Sequence, residues 1–477
     1  MSNRLIKNPL SRFAGVMAIM VFIITVVLLT SDLVGVTLPP IIGVLSYTLF
    51  PALLLFYLLL IPVGMYREWR RQHKKEGLTP PMFPRFDFNV RSQRIQLYVF
   101  ILGTSLVGLL VLTVAMRTYE YTESVEFCSD ICHKVMEPEA TTYKNSPHAR
   151  VACMTCHVGK GATWYVKSKL SGLYQVYATL FNKYPTPIET PVSNLRPSRD
   201  TCEQCHWPEK FYGAKEVQKN YYKEDENNTL QRTSMLMNIG GGVSPTGIHW
   251  HVGMDEVYYV AKDRSRQEIP YIKVKYKDGR EDVFEDTANP PSKELIAKGP
   301  LRKMDCLDCH NRPTHRFESP KEAMDASLDE GRIDKAIPYI KKMGVEVLSG
   351  EFKDIRLKIE SFYKDKYPKV KADGVIAELE AMWEANNFPH MKSKWDIYPD
   401  NVGHFEWPGC FRCHDGLHKD EKGVAIKKDC NICHIFLSEE ATGVIAKKEP
   451  LGVDFVHPAD VGGAEKEMNC NGCHGGK

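Results

Sequence analysis

Three long apolar runs occupy most of the first 120 residues of the chain. They cover residues 13–30, 41–66 and 97–116, and each is close to the roughly 20 residues that a helix needs to cross a bilayer core. A buried soluble helix is the alternative for each run, and a cleaved signal peptide is a further alternative for the first. A signal-peptide core is shorter, however, and no small-residue cleavage site follows Thr30. The pattern therefore predicts three transmembrane helices, two within residues 13–66 and one at 97–118.

The positive charges predict how these helices are oriented. Three basic residues precede the first run, none lie between the first and second runs, and eight lie in residues 67–96. Lys and Arg are concentrated on the cytoplasmic side of membrane proteins. We therefore expect residues 1–12 and the basic loop 67–96 to be cytoplasmic, with membrane lipid around the spans. Everything from residue 119 onward should then lie outside the cytoplasm.

The rest of the chain has shorter periodic segments. Apolar residues recur at helical spacing in residues 161–184 and in three segments between residues 336 and 383. Alternation typical of strands appears at 257–260 and 271–276. We expect a mainly α protein, in which three transmembrane helices are followed by an external domain with little regular structure and a small β insertion.

Fourteen cysteines indicate the chemistry of the external part. They form seven pairs, each followed directly by a histidine; two residues separate the cysteines in six pairs, and three separate them in the first. The motifs are Cys128/Cys132/His133, Cys153/Cys156/His157, Cys202/Cys205/His206, Cys306/Cys309/His310, Cys410/Cys413/His414, Cys430/Cys433/His434 and Cys470/Cys473/His474. Two such thiols add to the vinyl groups of a haem, and the adjacent histidine binds its iron. A zinc site or a disulfide framework would not require a histidine after every pair. The sequence predicts seven covalently bound haem c groups with these histidines as proximal ligands.

The motifs divide the external part into segments. Four lie in residues 119–320, which include the β insertion at about 211–300, and three lie in residues 400–477. A helical spacer without cysteine, residues 321–399, separates them. Residues 400–477 are poor in large apolar side chains, so we expect the haems to supply their core. The chain after residue 96 has 51 basic and 55 acidic residues, and nothing in this balance indicates a nucleic-acid partner.

Haems that only transfer electrons are commonly bound on both faces, so seven motifs require seven distal ligands. Eight histidines of the external part lie outside the motifs, and Met136 follows the first motif by three residues. The candidate distal ligands are Met136, His148, His249, His251, His315, His404, His418 and His457. His249 and His251 are only two positions apart, which leaves open whether both bind iron, and His390 is not among the candidates. A lone histidine is more often a surface or core residue, and Met136 has the alternative of apolar packing at a membrane surface.

The order of these motifs resembles that of the NapC/NirT family of membrane-anchored multihaem quinol dehydrogenases. A transmembrane helix is followed by Phe-Cys…Cys-His…Met at 127–136, Ser-x-His at 146–148 and Cys-x-x-Cys-His-Val at 153–158. The later Cys-Leu-Asp-Cys-His motif, with His315 after it, is similar to the family's fourth site. The resemblance covers about residues 97–320.

The chain also departs from the usual family pattern. Family members usually have one span and four haems. Their first motif usually reads Cys-x-x-Cys-His-x-Met, whereas both gaps are one residue longer here. A longer seven-haem branch from metal-respiring bacteria resembles this layout better.

The resemblance implies an inner-membrane protein whose haem domain faces the periplasm and oxidises menaquinol. It implies that His148, His315 and Met136 are distal ligands. The family's quinol pocket uses a lysine and an acidic residue after the second motif; Lys167 and Lys169 are available here, and Gln175 or Tyr174 stands roughly at the acidic position. Periplasmic multihaem or small c-type cytochromes are the implied electron acceptors, and the oligomeric state is left open.

Three functions are compatible with the sequence. The first is a menaquinol:cytochrome c oxidoreductase of anaerobic or metal respiration. The second is a haem conduit that relays electrons from another, quinol-oxidising subunit, and reduction of the isolated protein by a quinol distinguishes it from the first. The third is a terminal reductase, which needs an open iron position away from the membrane. The supply of eight histidines outside the motifs argues against the third.

Overall fold

The structure is a computed structural model and describes residues 8–33, 42, 45–75, 87–159, 161–192, 195–211, 213–240, 246–253, 255–441, 444–455, 457 and 460–474. The chain divides into two compact units, residues 1–133 and residues 134–477. Each unit is described by itself below.

Long helices make up most of the first unit. They are α1 (Pro9–Leu33), α2 (Phe50–Lys75) and α3 (Arg91–Thr122), with π-helical turns at Leu45–Leu49 and Phe127–Ile131. All three helices are long and apolar enough to cross a bilayer, which confirms the prediction of three membrane-spanning helices. Helix α2 continues well past the apolar run, so the first part of the predicted basic loop is helical.

Helices α1 and α2 approach each other closely near the start of α1. The Asn8 side chain caps α1 by accepting a hydrogen bond from the Ser11 backbone N–H at 2.8 Å. The Ser11 hydroxyl donates to the carbonyl of Ile61 on α2 at 2.9 Å. A Cβ atom on Gly64 would lie 2.5 Å from that hydroxyl oxygen. Only glycine therefore allows this contact, in the way that small residues let membrane helices pack together.

The second unit contains many short helices and one group of longer ones. They are α4 (His133–Lys144, which begins at the boundary of the unit), α5 (Cys153–His157), α6 (Ala162–Leu180), α7 (Ser198–Thr201), α8 (Trp250–Gly253), α9 (Lys293–Lys298), α10 (Cys306–Cys309), α11 (Pro320–Asp329), α12 (Ile340–Leu348), α13 (Phe352–Lys366), α14 (Asp373–Asn386), α15 (Ala464–Glu467) and α16 (Cys470–His474). Turns of 3-10 helix cover Cys202–Gln204, Pro208–Lys210, Pro389–Met391, Gly409–Arg412 and Cys430–Ile432. Together with α1–α3, these elements confirm a mainly α fold.

Two antiparallel sheets combine strands from distant parts of the second unit. The strands are β1 (Lys215–Tyr222), β2 (Leu230–Met237), β3 (Glu256–Val260), β4 (Tyr271–Lys275), β5 (Glu281–Asp286), β6 (Arg302–Lys303), β7 (Asn387–Phe388), β8 (Ser393–Lys394), β9 (His418–Lys419), β10 (His434–Ala441) and β11 (Val444–Val453). The sheet orders are β1-β2-β10-β11 and β6-β3-β4-β5-β9, with a separate β7-β8 pair. Strands from the C-terminal segment therefore complete the sheets of the β insertion.

Helices α11–α14 enclose the largest apolar core of the second unit. Met324, Ile340, Ile359 and Ile376 come from the four successive helices and are fully buried. Helix α11 starts with a capping box in which Ser319 and Glu322 satisfy each other's backbone N–H groups. This region needs no cofactor to account for its packing.

The C-terminal segment is different. In residues 399–440 and in the residues between 452 and 474 whose side chains the structure describes, no hydrophobic side chain is buried, and the buried side chains there are polar ones such as Asn401, Arg412 and His418. Apolar burial is the main favourable contribution to the folding of ordinary domains. This segment must therefore be held by other interactions.

Helix α13 offers a matched test of the apolar core. We expect Ile359→Ala to cost about 2–5 kcal/mol, because Ile359 is fully buried and alanine leaves a cavity. Leu357→Ala on the same helix should change stability by only about 0.5 kcal/mol, because Leu357 is 69% exposed. Thermal unfolding of the haem-loaded protein, followed by far-UV circular dichroism, should show a clear loss for the first variant alone. Equal shifts in the two variants would contradict this description of the core.

Candidate functional site

Six motif histidines each face one histidine from outside the motifs. In every case the two imidazole ring centres are about 6 Å apart, and each of the twelve residues occurs in one pair. The pairs and their ring-centre distances are His157–His315 (6.3 Å), His206–His148 (6.1 Å), His310–His249 (6.4 Å), His414–His251 (5.8 Å), His434–His404 (6.2 Å) and His474–His457 (5.9 Å). The structure thus brings together six of the candidate distal ligands with six motif histidines.

This separation fits one iron atom between two imidazoles. A metal–nitrogen bond of about 2 Å, extended by about 1 Å from nitrogen to ring centre on each side, places the two ring centres about 6 Å apart. A direct stacking contact between rings would be shorter, and unrelated histidines would not pair one to one. The cysteines of the same motifs lie directly before one member of each pair. The residues present therefore fit covalently attached haem.

The motif cysteines differ in how exposed they are. Cys156, Cys205, Cys430 and Cys473 are exposed, and the other ten motif cysteines are half-buried. Free cysteine is among the residue types that proteins bury most often, so an exposed one is unusual for a residue that only packs. All fourteen keep the motif positions that attachment needs, and haem binding by Cys205 and Cys473 stays a prediction.

Each of these four exposed cysteines has a half-buried partner in its own motif. The exposed residue is the second cysteine in the motifs of Cys156, Cys205 and Cys473, and the first in the motif of Cys430. The two thiols of a motif bind neighbouring edges of one haem. Each of the seven motifs therefore keeps at least one of its two cysteines half-buried by the chain.

Hydrogen bonds at the other ring nitrogen hold several of the paired imidazoles in place. Nδ1 of His148, His249, His251 and His315 donates to a backbone carbonyl, at 3.1, 3.1, 2.8 and 3.0 Å respectively. Such a bond orients the ring and leaves Nε2 for a metal. Burial, followed by the neighbouring His157 and Arg312, lowers the pKa of His315 to about 4. A neutral imidazole is the form that binds a metal.

The second, third and fourth motifs are interlocked. His148 lies just before the second motif in the chain but faces His206 of the third. His315 lies just after the fourth motif but faces His157 of the second. The Cys202 side chain of the third motif lies close to a cysteine of the fourth, Cys306. These three sites consequently form one cluster.

The segment Gly247–His251 joins this cluster to the fifth motif. His249 faces His310 of the fourth motif, and His251 faces His414 of the fifth. The two histidines, which are close enough in sequence to leave open whether both bind iron, therefore serve two different motifs. The backbone just before this segment packs closely against Gly240. The φ angle of Gly240 is +53°, and a Cβ atom there would lie 1.9 Å from the Thr246 carbonyl oxygen, so this position requires glycine.

A buried polar network fixes the fourth and fifth motifs against each other, and no pattern in the sequence indicates it. The Asp308 carboxylate accepts hydrogen bonds from Tyr259 Oη at 2.6 Å, Arg302 Nε at 2.9 Å and Arg266 Nη1 at 3.1 Å. Arg412, inside the fifth motif, donates from Nη2 to the Asp308 carbonyl at 2.6 Å. Asp308 is only 2% exposed, so it requires these partners. Asp308 and Arg412 are positioning residues for two neighbouring motifs.

His418 and His390 do not belong to the described pairs. His418 is buried, its Nδ1 lies 2.9 Å from Asp415 Oδ1, and its Nε2 lies 2.7 Å from the Ile269 carbonyl oxygen. Both nitrogens are therefore engaged in hydrogen bonds, and this candidate ligand has a structural role between β9 and the loop before β4. His390 Nε2 lies 3.1 Å from the Lys134 carbonyl oxygen and 3.3 Å from Glu137.

The first motif belongs to the first unit and has a different local structure. Residues Phe127–Ile131 form a π-helical turn, which holds more residues than an α-helical turn. That turn accommodates the additional residue between Cys128 and Cys132. The His133 side chain lies outside the described residues. Met136 is half-buried in the second unit, and its role as a ligand stays a prediction.

The candidate quinol residues all lie on α6. Lys167 Nζ lies 4.7 Å from the centre of the Trp164 ring, and Lys169 Nζ lies 5.1 Å from the centre of the Tyr165 ring. Two positions along a helix correspond to about 200° of rotation, so the two lysines diverge. Gln175 is exposed on the same helix. One small ligand could contact only one of these lysines.

The fold and the paired sites define a class, the membrane-anchored multihaem c-type cytochromes of electron transport. The family described as "NapC/NirT cytochrome c family, N-terminal region" matches residues 90–193, a stretch that contains α3, the first two motifs and α6. The chain belongs to the NapC/NirT cytochrome c family, which confirms the resemblance, and it carries covalently bound haem c. It is similar to the cytochrome c-type protein ImcH of Geobacter sulfurreducens, with 43% identity over 484 residues that cover 98% of this chain and 95% of that protein. No solved structure matches the chain.

The ligand pairs predict different outcomes for two buried or half-buried histidines. We expect His404→Ala to convert one additional haem from low spin to high spin, because His404 faces His434 and alanine leaves that iron position open. His418→Ala should leave the number of low-spin haems unchanged. Electron paramagnetic resonance of the ferric proteins, with haem content measured on the same samples, distinguishes the two outcomes. A new high-spin signal in the His418 variant, or none in the His404 variant, would refute the pairing.

Proposed function

We propose that the protein is an inner-membrane quinol dehydrogenase that passes electrons from menaquinol through seven haem c groups to periplasmic c-type cytochromes in anaerobic or metal respiration. The observation that carries this proposal is the one-to-one pairing of six motif histidines with six other histidines. When bound, the haems supply one-electron redox centres. The chain supplies their ligands, their spacing and their surroundings.

The pairing favours an electron carrier over a terminal reductase. A substrate that is reduced at iron needs an open coordination position. Two histidines at each of six motifs would fill both positions of an iron and leave none open for a substrate. The His133 side chain lies outside the described residues, so the pairing concerns the second to seventh motifs.

The spacing of successive motifs supports a continuous path in chain order from the second motif to the seventh. Thiol groups of neighbouring motifs lie near enough to influence each other's charge, from Cys202 with Cys156 and Cys306, through Cys309 with Cys410 and Cys410 with Cys433, to Cys430 with Cys470. The histidines of Gly247–His251 provide the same continuity between the fourth and fifth motifs. Electrons would leave near His457 and His474, the histidine pair of the seventh motif, to a soluble acceptor.

The position of the first motif supports the entry of electrons from a lipid-soluble donor. Its π-helical turn starts five residues after α3 ends, and the Phe127 ring lies 5.5 Å from the Tyr121 ring of that helix. Oxidation of menaquinol releases two electrons and two protons. In our proposal, the ammonium group of Lys167 or Lys169 binds a quinol oxygen, and Gln175 contributes an amide to the same site.

The proposed orientation rests on the positive charges. Helix α2 ends in a basic stretch that includes Arg67, Arg70, Arg71 and Lys74, and α3 starts at Arg91. A cytoplasmic location for these residues places the haem motifs in the periplasm. The same location agrees with covalent haem attachment outside the cytoplasm.

The number of haems has a direct test. We expect the intact mass of the purified protein to equal that of the polypeptide plus seven haems, because every motif has both thiols and its histidine. A Cys470→Ala/Cys473→Ala double variant should lose one haem and keep the other six. A wild-type mass that corresponds to fewer haems would show that one motif is not used, and the same measurement on single-motif variants would identify it.

Quinol oxidation is tested with the full-length protein in nanodiscs. We expect a menaquinol analogue to reduce it without another subunit, and Lys167→Gln or Lys169→Gln to slow this reduction about tenfold or more, because the variant loses a cation that binds and orients the quinol. Lys183→Gln, an exposed lysine just after α6, is the control and should not slow it. Dithionite should reduce all variants equally. A wild-type protein that dithionite reduces but the quinol does not would instead support the conduit function.

A further inference from the structure

The exposed side of helix α6 (Ala162–Leu180) is apolar, unlike that of a surface helix in a water-soluble protein. Its small residues Ser168, Gly172 and Thr179 are half-buried, and Ala178 is buried. Large apolar residues on and just after the helix point outward and are 50% or more exposed, among them Val166, Leu170, Leu173, Tyr177, Leu180 and Phe181. A helix on an aqueous surface has the opposite arrangement, with its apolar face toward the core.

The outward residues form one continuous stripe. Positions 166, 170, 173, 177, 180 and 181 follow the three- and four-residue spacing of one helix face. At 1.5 Å per residue the stripe is about 22 Å long, which is more than the edge of a single haem would cover. Exposed apolar patches of this kind mark a surface that binds a partner or a membrane.

The exposure of α6 matches that of the membrane-spanning helices. Leu170 and Leu173 are 65% and 69% exposed, and Leu102 and Leu106 on α3 are 73% and 60% exposed. The apolar residues that form the core of α11–α14 are mostly below 4% exposed. By this measure the outward face of α6 resembles a lipid-facing surface.

The residues at the borders of the stripe also suit a bilayer interface. Helix α6 contains no acidic residue, and its two charged residues, Lys167 and Lys169, flank the stripe on opposite sides. Each lysine lies over a neighbouring aromatic ring, Trp164 or Tyr165. Lysine and amphipathic aromatic residues are the side chains that membrane proteins place at the level of the lipid headgroups. Their positive charge also complements anionic phospholipids.

We propose that α6 lies flat in the bilayer interface, with the stripe Val166–Phe181 inserted among lipid acyl chains and Lys167 and Lys169 at the headgroups. The haem-binding unit thereby contacts the membrane through its own surface, in addition to the attachment by α1–α3. Phospholipid is the molecule that covers the stripe, and its binding there does not depend on quinol oxidation. If the proposed quinol site is also correct, a lipid-soluble quinol reaches the α6 lysines without leaving the bilayer.

The experiment uses the haem-loaded full-length protein in nanodiscs that contain a phospholipid with a photoreactive diazirine in its acyl chain. After illumination, mass spectrometry of peptides from trypsin and from Glu-C locates the lipid adducts. We expect the yield of lipid adducts on the tryptic peptide of residues 170–183 to be within a few-fold of the yield on α3. The same yield should be about tenfold higher than that on the Glu-C peptide of residues 352–360. That peptide contains Leu357, a matched control because it is 69% exposed, like Leu173, but stands alone on a charged helix.

Variants keep the test specific. Leu170→Glu/Leu173→Glu should lower labelling of the α6 peptide by about tenfold while α3 labelling and the haem spectrum stay unchanged. Labelling of α6 at the level of the Leu357 peptide, with α3 well labelled, would overturn the proposal. A stripe covered by a second copy of the chain would give that same low labelling, together with cross-links between chains in detergent. Neither readout uses quinol, so failure of the quinol assay leaves this result interpretable.

Discussion

The pairing of one motif histidine with one histidine from elsewhere in the chain is the constraint on which the second unit depends. The partners are far apart in sequence, as for His157 with His315 and His251 with His414. Apolar burial contributes little near the C-terminus, because no hydrophobic side chain is buried in residues 399–440 or in the residues between 452 and 474 whose side chains are described. Ligand pairs, covalent haem and strand pairing must hold these segments together, so folding and cofactor attachment are coupled.

The same constraint explains why the β insertion and the C-terminal motifs form one body. Two neighbouring ligands, His249 and His251, serve motifs that are about a hundred residues apart in the chain, so the distance between those motifs is set by one short segment. Strand β2, which precedes this segment in the chain, pairs with β10, and β5, which follows it, pairs with β9. The Asp308–Arg412 contact adds a buried polar link. Electron transfer falls steeply with distance, and a rigid joint between neighbouring motifs keeps that distance short.

The local chemistry was predictable from sequence, whereas the pairing of the histidines was not. The cysteine motifs and the three long apolar helices each have a short-range pattern that identifies them. Which distal histidine meets which motif depends on contacts across long stretches of chain, and no local pattern records them. His418, like His404, lies within a few residues of the fifth motif, but Asp415 and the Ile269 carbonyl occupy its nitrogens.

The first motif departs from the other six because of where the chain places it. Helix α3 runs to Thr122, and a π-helical turn follows five residues later with its cysteines at Cys128 and Cys132. The Ser124 hydroxyl accepts a hydrogen bond from the Phe127 N–H at 3.0 Å, and the Cys128 N–H donates to the Ser124 carbonyl at 3.4 Å. Hydrogen bonds therefore continue from α3 into the π-helical turn. The extra residue between the cysteines belongs to this wider turn, and it lets the first motif begin only a few residues after the third long apolar helix.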